Sequence, residues 1–508
     1  MRVAFRVDAG HEIGSGHFFR CLALADTLAV GGDRCFLVSR NLPEALRAQA
    51  DRHGHVVIPL KPAAPFAPRP GDTTHAAWLN APWEDDADAT KAALTADADW
   101  LVVDHFAIDH RWEERVAPAV SHTLVIDDLA DRRHVCAILV DQNLFPGPRG
   151  RYRGLVPGHC ETLLGPRHAL LRGQFEERRK GGIRQRRTVD RVLVTLGGSD
   201  PANFTAIGIE GLKRLNPPMR ADIVIGGESG QRDAIAAACR GDERFRVHAN
   251  VENMADLLAA ADLAIGAAGI SSWERACLGL PAVIVTLAAN QEGVAQELAR
   301  RGLARLLGRA DEVDAALVAH AIEALRRDPA ALARMSRIAA RFVDGKGAHR
   351  VANAMRARLI SLRRATEDDA ERLLAWRNDP ITRLNSLHNE TVTLSDHKTW
   401  LAATLRDPDV RLLVGSIEAE AVGTVRLDRL DDGARRVSIT VSPDWRGRGV
   451  GHAVLRAACR EIVSGRLIAE IRDDNVASQR LFRGCGFRRT SHDGALGVGI
   501  YTARIGRG

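Results

Sequence analysis

Three glycine-bearing stretches of this chain carry residue types suited to chemistry. The first is Gly14-Ser15-Gly16-His17, which follows a short apolar run, Val3–Val7. There a histidine stands between the carboxyl end of a strand and the start of a helix, where a neutral imidazole can take a proton from water. A loop histidine is also a common structural hydrogen-bonder; the flanking glycines favour the catalytic reading. The second stretch, Gly266-Ala267-Ala268-Gly269-Ile270-Ser271-Ser272-Trp273-Glu274, opens a helix. Its amides can face a phosphate, and Glu274 can accept both hydrogen bonds of a ribose diol. Glu274 can equally be a charge favoured by the helix dipole at its N-terminus. The third, Arg446-Gly447-Arg448-Gly449-Val450-Gly451, lies between a strand and an amphipathic helix. Successive N–H groups in such a loop cradle a pyrophosphate, although a plain tight turn before a helix has the same letters.

The elements that must hold these loops alternate in type from the start. Strands are expected at Val3–Val7, Cys35–Ser39, Val56–Pro59, Trp100–Asp104, Thr123–Asp127 and Ala137–Asp141, with a helix from His17 to Val30. A second α/β unit opens at Arg191–Leu196 and another glycine loop, Gly197-Gly198-Ser199-Asp200. Its later strands fit Asp222–Ile225, Leu263–Ile265 and Ala282–Val285, and helices near Val313–Arg327 and Pro329–Leu359 close it. Two halves that each open strand, glycine loop, helix suggest two nucleotide-binding-type domains facing a cleft. The basic stretch Arg178–Arg187 between them reads as a solvated linker, with a phosphate-holding role as the alternative. The pattern changes again at Ser361, toward a mixed α+β module. The expected domains are 1–175, 190–345 and 361–508.

Composition agrees with a folded α/β protein of several domains. Among 508 residues, 45% are hydrophobic and 27% charged, and the net charge is +7. The charge forms no stripe, which argues against a nucleic-acid partner and leaves small anions open. The eight cysteines show no C-x-x-C pair and no zinc spacing. No leader and no membrane-length apolar run is visible, so a soluble cytoplasmic protein without a membrane partner is expected.

The third module resembles the GNAT acetyltransferases. The resemblance rests on the Arg446–Gly451 loop, the strand Leu467–Ile471, Asn475-x-x-Ser478-x-x-Leu481-Phe482 and Gly484-Cys485-Gly486-Phe487. It implies that acetyl-CoA is the cosubstrate, with its pyrophosphate on Arg446, Gly447, Arg448, Gly449, Val450 and Gly451. It also implies pantetheine beside Ser438–Val441, with Asn475 and Ser478 near the cofactor; an N-cap role for Asn475 is compatible. Where many members carry tyrosine this chain has Phe482, so a tyrosine acid is absent at that position. His388, Glu390 and His397 are candidates for the base by residue type alone. Trp376-Arg377-Asn378-Asp379, with Arg383 and Ser386, resembles the amino-sugar N-acetyltransferases of nonulosonic acid pathways.

The first two domains resemble the GT-B enzymes, and within them the PseG-type UDP-sugar hydrolases of pseudaminic acid biosynthesis. The motifs are Phe5-Arg6-x-Asp8, Ile13-Gly14-x-Gly16-His17-x-x-Arg20-Cys21, Val103-Asp104-His105, Ile126-Asp127-Asp128, Asp141-Gln142-Asn143, Leu170-Leu171-Arg172, Gly197-Gly198-Ser199-Asp200 and Asn290-Gln291. The resemblance implies an α/β, GT-B-like pair of Rossmann-type domains ahead of the GNAT domain. It implies His17 as the catalytic base of an inverting, metal-independent cleavage of a UDP-amino-sugar. Substrate would be held by Arg6, Asp8, Gly14, Gly16, Asp104, His105, Gly197, Gly198, Ser199, Gly269, Ser271, Glu274, Asn290 and Gln291. Phe106 departs from the pattern, which has a hydroxyl-bearing aromatic there. The competing readings are a GT-B transferase with a sugar acceptor, a protein N-acetyltransferase in the third module, and a nucleotide-sugar sensor without turnover.

Overall fold

The computed structural model describes residues 1–508 except 11, 64–65, 95–97, 198–199, 201, 227–230, 250, 418, 463–464 and 506–508. Gly198 and Ser199 therefore lie outside the described residues. The chain divides into two compact units, Met1–Val351 and Ala352–Gly508.

The first unit holds two parallel sheets. One comprises β1 (Arg2–Val7), β2 (Arg34–Ser39), β3 (Val56–Pro59), β4 (Trp100–Asp104), β5 (His122–Ile126), β6 (Ile138–Asp141) and β7 (Glu161–Leu164), in the order β3-β2-β1-β4-β5-β6-β7. The other comprises β8 (Arg191–Thr195), β9 (Arg220–Ile225), β10 (Phe245–Ala249), β11 (Leu263–Ala267), β12 (Ala282–Thr286) and β13 (Ala304–Arg309), in the order β10-β9-β8-β11-β12-β13. This is the GT-B-like pair of Rossmann-type domains. The central strands β1, β4, β11 and β12 are buried almost throughout, which is why they read as continuous apolar runs. Three strands escape that reading. β7 and β10 are sheet edges with polar, half-covered residues, and β13 is an edge whose register shifts opposite Ile284/Val285.

Strand order fixes where a ligand can sit. In the first sheet the order reverses between β1 and β4, whose last residues pair as Val7 with Asp104. In the second it reverses between β8 and β11, where Thr195 pairs with Gly266. Loops leaving the carboxyl ends of such strands cannot be covered by crossover helices, so a crevice opens there. All three glycine loops of the first unit (Gly14–Gly16, Gly197–Asp200, Gly266–Ser272) start from these strand ends.

The basic stretch at 178–187 does not behave as a solvated linker throughout. Arg186 is buried and donates to the carbonyls of Leu258, Ala261, Leu278 and Gly279. Arg179 donates to the carbonyls of Cys277 and Ala340. These guanidinium groups staple the connection to the second domain through groups that a phosphate would otherwise need. The single long helix expected near Pro329–Leu359 is two, Pro329–Phe342 and Gly347–Leu359. The first ends at Val343, which is extended (φ −128°, ψ 121°), and Gly345 in the connection takes φ +81°, a left-handed turn suited to glycine.

The second unit is a mixed sheet of β14 (Ile360–Arg364), β15 (Val410–Ile417), β16 (Glu420–Arg429), β17 (Arg435–Val441), β18 (Gly465–Arg472), β19 (Arg488–Asp493) and β20 (Val498–Ile505), in the order β14-β15-β16-β17-β18-β20-β19. Neighbours are antiparallel except β17 and β18. Among the described residues that parallel pair is joined at Arg435–Leu467 and Arg436–Ile468, and beyond them the β18-facing edge of Val437–Val441 has no described strand partner.

Candidate active site

His17 is the second residue of helix α1 (Gly16–Val30), and Arg20 and Cys21 follow it on one face at i+3 and i+4. All three point at Asp104, the last residue of β4. His17 Nδ1 lies 2.6 Å from Asp104 Oδ1. Arg20 donates from Nη2 to Oδ1 and from Nε to Oδ2, each at 2.6 Å, and Cys21 Sγ stands 3.5 Å from Oδ2. Burial would raise the Asp104 pKa, but Arg20 and His17 outweigh it and hold the carboxyl well below its usual range. An ionised Asp104 fixes the proton of the imidazole on Nδ1 and leaves the lone pair on Nε2. That is the tautomer a general base requires.

Around this dyad the first domain places an aromatic wall. The Phe106 ring meets His17 edge-on, with centroids 4.6 Å apart. Trp78 stacks on Phe106 at 5.9 Å, and His75 contacts both rings. Trp78 and His75 are half-buried, on a turn the sequence motifs do not mark.

Arg6, Asp8 and His105 take a different place. All three are enclosed. Arg6 binds Asp86 through Nε at 3.1 Å and Nη2 at 2.8 Å, and its Nη1 lies 2.9 Å from Asp8 Oδ1. Asp8 also accepts from Ser39 Oγ and from the amides of Arg40 and Asn41. His105 Nε2 stands 3.3 Å from Asp8 Oδ2, while its Nδ1 accepts from the Ala107 amide. The structure sets the polar atoms of these three, which the sequence marks as substrate contacts, against one another, where they tie the loops after β1 and β4. Gly14 turns the first loop with φ +75° and hydrogen-bonds back to Gly10.

The second domain meets this loop directly. A Cβ at Gly16 would lie 2.9 Å from Ile270 Cδ1. Ile270 precedes helix α2 (Ser271–Cys277). Beneath that turn runs Arg275, buried, donating to Ser271 Oγ (3.0 Å), Ser272 Oγ (2.9 Å) and the Ala267 carbonyl (2.8 Å). No carboxylate is among those hydrogen-bond partners, and burial lowers its pKa to about 10. Gly266 makes room for it, since a Cβ there would stand 2.6 Å from Arg275 Nη1 and 2.8 Å from the Thr195 carbonyl oxygen. Glu274 accepts from Arg172 Nη2 at 3.1 Å and stays partly exposed. Gln291 lies across the loop, its Nε2 3.9 Å from a Cβ position at Gly269, whereas Asn290 is exposed on the turn after β12. In the loop after β8, Gly197 takes φ +97°. Asp200 accepts from the amides of Phe204 and Thr205, so those helix amides already hold a carboxylate.

In the second unit Gly449, at φ +77°, precedes helix α3 (Val450–Glu461). The helix Gly347–Leu359 passes beside it: a Cβ at Gly449 would lie 2.5 Å from Asn353 Oδ1 and 3.1 Å from Arg356 Nη1. Gly451 packs against Val441 and Leu481. Arg446 is held by Asp379 at 2.6 Å and by Thr382 Oγ1 at 2.6 Å, and Arg448 lies over Trp445. Asn475 caps the helix Val476–Gly484 by accepting from the Ser478 amide, and its Nδ2 donates to the Asn385 carbonyl.

Residues 192–351 match the glycosyltransferase family 28 C-terminal domain model, and residues 358–488 match the acetyltransferase (GNAT) domain model. The chain joins a glycosyltransferase-28-like domain to a GNAT domain. An uncharacterized protein of Methanocaldococcus jannaschii is similar over both, at 21% identity across 96% of this chain and 97% of its own. The spore coat polysaccharide biosynthesis protein SpsG of Bacillus subtilis is 24% identical over 69% of this chain and 96% of its own. The UDP-2,4-diacetamido-2,4,6-trideoxy-beta-L-altropyranose hydrolase of Campylobacter jejuni is 22% identical over 59% of this chain and 97% of its own. Among solved structures, MurG of Acinetobacter baumannii aligns at TM-score 0.48 and 15% identity, over 70% of this chain and 98% of its own. A nucleotide-sugar enzyme with an acetyltransferase is the description these relatives support.

In the GNAT domain the three candidate bases separate by exposure. His388 and Glu390 are exposed, whereas His397 is buried beside Trp400 with its Nε2 unpaired. Burial lowers the His397 pKa, as does Arg377. Among the described residues, no group of three or more His, Cys, Asp or Glu side chains is placed to hold a metal ion, and no helix is long and apolar enough to cross a membrane. Sequence motifs passed over Arg275, Trp78, His75, Asn353 and Arg356. Arg275 had a signal, a cation inside an apolar helix beside a glycine loop; the others come into place only through folding.

Proposed function

We propose that the first unit is a UDP-sugar hydrolase and the second an acetyl-CoA-dependent N-acetyltransferase acting on the amino sugar one step earlier. The observation that carries the hydrolase is the His17–Asp104–Arg20 constellation facing a loop backed by a buried cation. UDP would lie on the second domain, its diphosphate at Gly269–Ser272 with Arg275 behind the two serine hydroxyls, and its ribose at Glu274. His17 Nε2 would take a proton from water as the water oxygen bonds to the anomeric carbon. The bond from that carbon to the diphosphate oxygen breaks on the opposite face, which inverts the centre, and UDP leaves with the electron pair. Amide dipoles and Arg275 stabilise the charge that develops on the leaving group. Gln291 and Asn290 would reach polar substituents of the sugar.

In the second unit the splayed edge of β17 would pair with pantetheine, and the Arg446–Gly451 loop would take the pyrophosphate. Arg446 is held by Asp379, and Arg356, whose Nη1 stands beside Gly449, would add a second positive charge near that loop. The 4-amino group of a UDP-4-amino-sugar would attack the thioester carbonyl, coenzyme A leaving as the thiol, with His397 the favoured proton acceptor. The substrate named for the Campylobacter relative, a UDP-2,4-diacetamido-trideoxy sugar, is the product such an acetylation would supply.

Mass spectrometry of the UDP-4-amino-sugar incubated with the protein, with and without acetyl-CoA, tests both steps. The expected result is one acetyl group added only with acetyl-CoA, followed by free diacetamido sugar and UDP. Acetylation without cleavage would remove the hydrolase. A second reading, transfer to a sugar acceptor, is favoured by the family 28 match; release of UDP that needs an added sugar would establish it.

A further inference from the structure

Three motifs of the first domain stand outside the catalytic scheme above: Asp127-Asp128, Asp141-Gln142-Asn143 and Leu170-Leu171-Arg172. The structure brings one residue of each to the boundary with the second domain. Asn143 Nδ2 donates to Asp128 Oδ1 at 2.7 Å, and its Oδ1 faces the Trp273 Nε1 donor at 3.4 Å. Asp128 Oδ2 accepts from Arg20 Nη1 at 2.6 Å. Arg20 in turn grips Asp104, which orients His17. A continuous set of hydrogen bonds therefore leads from Trp273, buried on α2 of the second domain, to the imidazole on α1 of the first. Arg172 makes a parallel tie, bonding Glu274 while its guanidinium lies 5.2 Å from the ring of Phe19, two residues after His17. Trp273 and Glu274 are consecutive, so both ties converge on the helix that would carry the nucleotide.

We propose that Asn143 is a positioning residue: it links the nucleotide-bearing helix to Arg20 and so sets the orientation of His17 when UDP occupies the second domain. This rests on the hydrolase reading. The physical reason is that Arg20 is fully buried and holds two carboxylates at once, Asp104 and Asp128. Its position follows whatever fixes Asp128. Asn143 supplies a donor to Asp128 and an acceptor to Trp273, and no apolar residue can do either. A misplacement of a catalytic group by about 1 Å costs on the order of 100-fold in rate, so a loosened Arg20 is felt in turnover before it is felt in binding.

The test uses the full-length protein, histidine-labelled, and follows the hydrogen-bonded Nδ1 proton of His17 by NMR, assigned by its loss in His17→Gln. UDP is expected to shift that resonance in the wild type and to leave it unmoved in Asn143→Leu. In the same variant kcat for UDP release should fall about 10- to 100-fold, with the Kd for UDP changed by less than about twofold. Trp273→Phe, which removes only the indole donor, should lower kcat less, and the double variant should be no slower than Asn143→Leu alone. Equal UDP-induced shifts in wild type and Asn143→Leu, or no shift in either, would overturn the proposal. So would a loss of UDP affinity as large as the loss of kcat, which would make Asn143 a structural group only. If the wild type releases no UDP from the sugar nucleotide, the hydrolase reading fails, and the NMR response still decides the role of Asn143.

Discussion

The two Rossmann-type domains share a strand order and a switch point, yet they fill that point with opposite chemistry. In the first domain it is crowded with carboxylate–guanidinium pairs, Asp8 with Arg6 and both Asp104 and Asp128 with Arg20, and with His17 hydrogen-bonded to Asp104. In the second, the turn into α2 carries glycine, serine hydroxyls and Arg275, whose hydrogen bonds go to neutral oxygens, while Asp200 holds the helix amides after β8 and Glu274 is paired with Arg172. A diphosphate brought near the first set would meet carboxylates; near the second it would meet amides and a buried positive charge. On the proposed reading the same topology would provide a proton acceptor on one side and an anion seat on the other.

The largest break in this contrast is His17→Ala. It should slow UDP release by about 100- to 10,000-fold, the range for loss of a general base, while acetyl transfer continues; undiminished release would remove His17 from the mechanism. Gly449→Glu carries the contrast to the third glycine loop. With Asn353 and Arg356 already against that position, the side chain should raise the KM for acetyl-CoA by about 100-fold or more, given about 1.4 kcal/mol per tenfold, and leave hydrolysis alone. Survival of acetyl-CoA binding would show that the loop is not its seat.

Arg275→Met sharpens the comparison from the anion side. The volume is roughly kept and the charge removed, so the KM for UDP-sugar should rise about 10- to 150-fold, in line with about 1.5–3 kcal/mol for hydrogen bonds to charged groups. An unchanged KM would make the buried cation a structural feature. The smallest effect is expected at Asp141, where burial and then Asp128 raise the carboxyl to about 7. A carboxyl raised in the folded state favours folding below its unfolded value of about 4, and that contribution is lost as pH rises through about 7. Asp141→Asn should therefore flatten the decline in Tm between about pH 4 and pH 7. Parallel declines in variant and wild type would assign the pH dependence to another group.

How much of this was legible in the sequence depends on how local each feature is. The central strands announced themselves because burial on both faces demands apolar runs, and the glycine loops because their conformations restrict residue type. The edge strands β7, β10 and β13 did not, since one open side admits Glu161, Arg246 and Arg305. For the site, His17 and Asp104 were marked by motif, but only the fold shows them bonded. Arg6, Asp8 and His105 were marked by the same motifs, but that their polar atoms face one another is visible only in the fold, because sequence gives adjacency and not the direction of a side chain. Asn353 and Arg356 lie ahead of the matched GNAT region and reach its loop through a helix whose packing no motif records.

In the proposed reaction, water activated by His17 attacks the anomeric carbon while UDP leaves from the second domain. That reaction is tested most directly by running the cleavage of the UDP-diacetamido sugar in oxygen-18 water and weighing both products at early times. Hydrolysis by this route gives unlabelled UDP and label in the free sugar, with no acceptor present. Label in the β-phosphate of UDP, or no UDP until a sugar acceptor is added, would contradict it.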